Sequence, residues 1–181
     1  INLPFEEPLY VSEEVERIVT NPIVLEQAKI GLTQTQKNYV SNKWNTSKKK
    51  MILVGQMEVD LALENCLVEL AKDSSVLVMV ENTSNLVNGN FIQCIDRTLE
   101  SIPKEKLLEF APDLLIVLGG AIVSKKIKSF LRTYKAINTW RVGIDFPFMD
   151  TYQALTHTFP IAPFDFLKEI EVKDGIPLSN Y

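Results

Sequence analysis

Leu114-Leu115-Ile116-Val117-Leu118-Gly119-Gly120-Ala121-Ile122-Val123-Ser124-Lys125-Lys126-Ile127-Lys128-Ser129-Phe130-Leu131 decides the fold. Its first five residues are continuously apolar and rich in branched side chains, bounded by Pro112-Asp113 and by a glycine pair, which is the pattern of a strand buried on both faces. Ile127, Phe130, Leu131 and Tyr134 then recur at helical spacing, and Ser124 stands where a side-chain oxygen caps the first free amides of a helix. A strand, a glycine turn and a helix form the unit of open parallel sheets, whose ligands sit where strands end and helices begin. Lys125 and Lys126 break a local rule, because the first turn of a helix already carries partial positive charge and favours acidic residues. Two amines beside a glycine turn suit an anionic group; the competing reading is that they only solvate an exposed helix.

Outward from this unit the alternation continues. Met51-Ile52-Leu53-Val54 predicts a strand stopped by Gly55, and Leu63, Cys66, Leu67, Leu70 and Ala71 mark one face of the helix after it. Val76 to Val80 predicts a second buried strand, followed by a polar loop from Glu81 to Asn90. A short helix is expected near Asp96 and another from Pro103 to Phe110. Ile137 to Ile144 reads as a strand, Ala154 to Phe159 as a short one, and Asp165 to Ile170 as a last helix. Upstream, prolines at 4 and 8 exclude a helix over Ile1 to Tyr10. Asn21-Pro22 opens a helix carrying Leu25 and ended by Gly31, and Thr33 with Gln36 matches a capping box ahead of Val40 and Trp44. The expected class is α/β, a doubly wound and mainly parallel, Rossmann-like sheet flanked by helices. Residues 1–47 read as a linker with packing helices, 48–172 as the central domain and 173–181 as a terminal linker.

Composition narrows the function. The 181 residues are 46% hydrophobic and 23% charged, and a net charge of −4 gives no reason to expect nucleic acid. No apolar run approaches the ~20 residues of a membrane span, and no signal peptide is apparent. Cys66 and Cys94 lack metal-ligand spacing and read as buried thiols of a reducing, cytoplasmic compartment. Lys48-Lys49-Lys50 reads as solvated charge ahead of a strand, and the start at Ile1 suggests a piece of something longer. Gly55 before a helix and Glu81 after the next strand hint at a dinucleotide site, but the second and third glycines are missing and no phosphate loop occurs. His157, the one histidine, has no nearby nucleophile or metal partner and reads as structural. No carboxylate pair, triad or metal cluster stands out, so no residue is assigned to catalysis, cofactor or metal.

Four segments in order carry a family resemblance: Ile1 to Tyr10, Ile52-Leu53-Val54-Gly55-Gln56, Glu81-Asn82-Thr83-Ser84-Asn85-Leu86, and Val123 to Leu131. Together they resemble the central region of the menaquinone-pathway MenD family, the 2-succinyl-5-enolpyruvyl-6-hydroxy-3-cyclohexene-1-carboxylate synthases. The resemblance implies a three-domain, thiamine-diphosphate-dependent transferase using Mg2+ or Mn2+, cytoplasmic and homodimeric or homotetrameric. It decarboxylates 2-oxoglutarate and adds the succinic semialdehyde unit to isochorismate. In that family the cofactor lies between pyrimidine-binding and diphosphate-binding domains, whose activating carboxylate and metal motif have no counterpart here, so the fragment alone is expected to be inert. The family's basic pair at the isochorismate site maps onto Lys125 and Lys126, with Ser124 orienting the turn. Two alternatives stay open: a regulatory module sensing an aromatic pathway product, and a degenerate nucleotide-binding domain.

Overall fold

A computed structural model describes residues 31–170 and the backbone of Val24–Leu25. The strands are β1 (Val24–Leu25), β2 (Lys50–Val54), β3 (Val76–Val80), β4 (Leu114–Leu118), β5 (Asn138–Val142) and β6 (His157–Phe159). The helices are α1 (Gln34–Thr46), α2 (Leu61–Leu70), α3 (Ile95–Ser101), α4 (Leu107–Phe110), α5 (Lys125–Thr133) and α6 (Pro163–Leu167). The six strands form one sheet in the order β1-β6-β5-β4-β2-β3, with every pair parallel. From β2 the chain steps to β3 on one side and then crosses to β4 on the other, so the direction of winding reverses between the carboxyl ends of β2 and β4.

Alternation of side chains sends each strand's residues into two cores. Ile52, Val54, Ile116, Leu118, Trp140 and Val142 meet α1, α2 and α6 on one face, while Met51, Leu53, Leu115 and Val117 meet Ile95 and Leu99 of α3 and Ile127, Phe130 and Leu131 of α5 on the other. The capping box at Thr33 and Gln36 forms as the sequence predicts, and Val40 and Trp44 of α1 enter the first core.

Several expectations change. Leu25 belongs to a two-residue strand paired with β6, not to a helix. The last helix begins at Pro163, because a proline fits the first helical turn, where its missing amide costs no hydrogen bond. Cys66 is half-buried, and burial raises its thiol pKa, but Cys94 is exposed. Lys50 is no solvated charge: it is 1% exposed, its ammonium donating to Ser75 Oγ at 2.5 Å and standing over the Trp44 ring. The Ile1 to Tyr10 segment and the linker from Lys173 lie outside the described residues.

Candidate functional site

The loops leaving β2 and β4 meet at the reversal point and are joined backbone to backbone. Gly55 N donates to Leu118 O at 2.9 Å, Gly120 N to Gln56 O at 2.6 Å, and Gln56 N to Ala121 O at 3.1 Å. Only glycine allows this approach, since a Cβ on Gly55 would collide with the Gly120 carbonyl and Gly119 holds φ +71°. A diphosphate cradle needs free amides at such a turn together with acidic ligands for its metal. Here those three amides are already bonded, and no group of three His, Cys, Asp or Glu able to hold a metal occurs among the described residues. The described residues therefore do not fit thiamine diphosphate or a dinucleotide.

Above the joined loops a crevice of about 1040 Å³ crosses the carboxyl ends of β2, β4 and β5. Arg141 of β5, which the sequence reading did not single out, contributes to its lining. Its side chain is 2% exposed; Nη2 donates to Asp145 O at 3.4 Å, while Nε and Nη1 have no partner among the described residues. Burial pulls its pKa down, opposed by the charge fields of Tyr152 and Asp145. Tyr152 is itself buried, its hydroxyl without a partner among the described residues, and burial first, then Glu81, pushes that hydroxyl's pKa up.

The three residues expected at a substrate site are adjacent in sequence but line three separate depressions, none of them this crevice. Lys125 opens a groove of about 470 Å³ along α5 with Lys128, Ser129, Arg132 and Thr133. Its ammonium is exposed and paired with no carboxylate among the described residues. Lys126 points elsewhere and forms an ion pair with Glu100 of α3, which holds that carboxyl below the usual range. Ser124 is buried and caps α5 as predicted, accepting from Ile127 N at 3.1 Å.

The two amides just ahead of α5 are held by Glu81, at the end of β3: its Oε1 accepts from Val123 N at 2.9 Å and Ser124 N at 2.8 Å. Ser124 Oγ in turn donates to Asp96 of α3. Glu81, Asp96 and Glu100 thus supply in space the acidic residues missing from the first turn of α5. An acid at the carboxyl edge of a strand suits a ribose as well as these amides, so position alone does not distinguish the two roles of Glu81.

Fold and site together define a doubly wound, parallel α/β domain that offers basic groups near its carboxyl edge. A family model described as "Middle domain of thiamine pyrophosphate" matches residues 19–174, and the chain belongs to that thiamine pyrophosphate enzyme middle-domain family. Over 181 residues, all of this chain and 32% of the relative, it is 38% identical to a 2-succinyl-5-enolpyruvyl-6-hydroxy-3-cyclohexene-1-carboxylate synthase of Flavobacterium psychrophilum. It is 40% identical to the synthase of Flavobacterium johnsoniae over 185 residues, covering all of this chain and 33% of that protein. With the Bacteroides thetaiotaomicron synthase the identity is 30% over 170 residues, 94% of this chain and 30% of the relative. The chain spans about a third of the length of the curated relatives it matches.

Proposed function

We propose that this chain is the middle domain of a 2-succinyl-5-enolpyruvyl-6-hydroxy-3-cyclohexene-1-carboxylate synthase, with residues 48–172 as the central domain, 1–47 as a linker whose helix α1 packs on it, and 173–181 as a linker to the next domain. The full-length protein decarboxylates 2-oxoglutarate and transfers the succinic semialdehyde unit to isochorismate, in the cytoplasm, as a homodimer or homotetramer. Thiamine diphosphate with Mg2+ or Mn2+ supplies the carbanion chemistry and is held by pyrimidine- and diphosphate-binding domains outside this chain. The observation that carries the reading is similarity along the whole chain to relatives bearing that name.

Within the reaction this domain binds and orients. Lys125 meets a carboxylate of isochorismate through its ammonium, because it alone of the pair has no internal carboxylate partner among the described residues. Lys126 reaches the substrate only by leaving Glu100, and Ser124 serves by capping the helix that carries both lysines. The test is an assay of the purified full-length protein with 2-oxoglutarate, isochorismate, thiamine diphosphate and Mg2+, following product by its absorbance. Product that appears only when both substrates and the cofactor are present is the expected result. Decarboxylation without transfer to isochorismate would assign the protein to another reaction.

A further inference from the structure

The first turn of α5 holds two lysines and no acid, yet the helix starts cleanly at Lys125. The compensation is remote in sequence. One oxygen of the Glu81 carboxylate receives two successive amides, Val123 N and Ser124 N, across 42 and 43 residues of chain. A shared acceptor of this kind fixes both the distance and the rotation of the peptide between them, so it anchors the start of α5 to the end of β3. The upstream half of the same loop, Gly120 and Ala121, is tied instead to Gln56. Between those ties and α5, segment 122–124 is held by hydrogen bonds with Glu81, Asp96 and Ile127. Glu81 itself is no part of the Lys125 groove; it lines the depression on the other side of Ser124.

We propose that Glu81 is a positioning residue for Lys125: by holding the Val123 and Ser124 amides it sets where the free ammonium of the next residue stands, and hence how well the enzyme binds the anionic acceptor substrate. This rests on the reading of Lys125 as a substrate contact. Glu81 touches no substrate, so its effect passes through Lys125, and small displacements of a binding group are enough to weaken an ion pair severely. Reach matters here more than charge. A glutamine keeps an oxygen at the same distance able to accept both amides, whereas an aspartate keeps the charge but is one methylene too short to serve both.

The experiment measures KM for isochorismate and kcat in the full-length holoenzyme for Glu81→Ala, Glu81→Asp, Glu81→Gln, Lys125→Ala and the double variant Glu81→Ala/Lys125→Ala. Glu81→Ala and Glu81→Asp are expected to raise KM about ten-fold with kcat within about two-fold, and Glu81→Gln to restore most of the loss. The double variant should be no worse than Lys125→Ala alone, as expected when one residue acts through the other. Unchanged KM in Glu81→Ala, or the same added penalty with and without Lys125, overturns the positioning role while leaving Lys125 in place. Unchanged KM in Lys125→Ala instead overturns the substrate contact on which the proposal stands. If Glu81→Ala fails to fold, the contrast between Glu81→Asp and Glu81→Gln decides: equal KM values refute the proposal.

Discussion

Lys50 lies within a run of three lysines, yet its side chain follows the inward parity of Ile52 and Val54 and ends against Trp44, Ser75 and Asp73. Burial lowers its pKa below 10.5, with the Asp73 carboxylate 3.7 Å away opposing that shift. Between the lowered value and 10.5 the unfolded chain binds a proton at Lys50 that the folded chain does not, so stability rises with pH through that window. Lys50→Met removes this titration and keeps the volume. Thermal melts at stepped pH should therefore show the Tm of the parent, minus that of Lys50→Met, increasing as pH approaches 10.5; a flat or falling difference would contradict the burial of a titrating amine. Strand parity was the available signal, and a run of like charges concealed it. Arg141, a lone cation between Trp140 and Val142, gave no comparable signal. Because two of its nitrogens are buried without partners among the described residues, Arg141→Met is expected to leave Tm unchanged or raise it, as differential scanning calorimetry would register.

At the scale of elements, the buried strands were legible because runs such as Leu114 to Leu118 and Val76 to Val80 have no polar face to confuse the reading. The glycines were legible as turns but not in their purpose. Gly55 and Gly119 let two loops bond to one another, a long-range contact that no local spacing encodes. Gly55→Ala is expected to cost about 3 kcal/mol, since backbone rather than a flexible side chain must give way. Gly89→Ala, with open space around it and no positive φ, should change stability by less than about 0.5 kcal/mol. Urea titrations of the two variants compare these directly, and equal midpoints would mean that the loops are not locked together. Short elements were read least well: α6 starts two residues before its expected first turn, and the two-residue β1 forms by pairing with β6, information that lies elsewhere in the chain.

For the whole molecule, the parallel sheet winds in two directions from β2, and the carboxyl ends of its strands gather the crevice, the joined loops and the start of α5 on one edge. The alternation of strand and helix made this class readable, and the oddly charged helix start drew attention to Lys125. What the sequence could not convey was the division of labour among neighbours: Glu100 takes Lys126, Glu81 takes the Val123 and Ser124 amides ahead of α5, and Lys125 is left exposed. The most direct measurement is the KM for isochorismate of the full-length enzyme with and without Lys125→Ala, alongside the rate of 2-oxoglutarate decarboxylation. A KM raised about ten-fold or more, the loss of one charged hydrogen bond, with decarboxylation unaffected, is the expected result. An unchanged KM, or a parallel loss of decarboxylation, would contradict it.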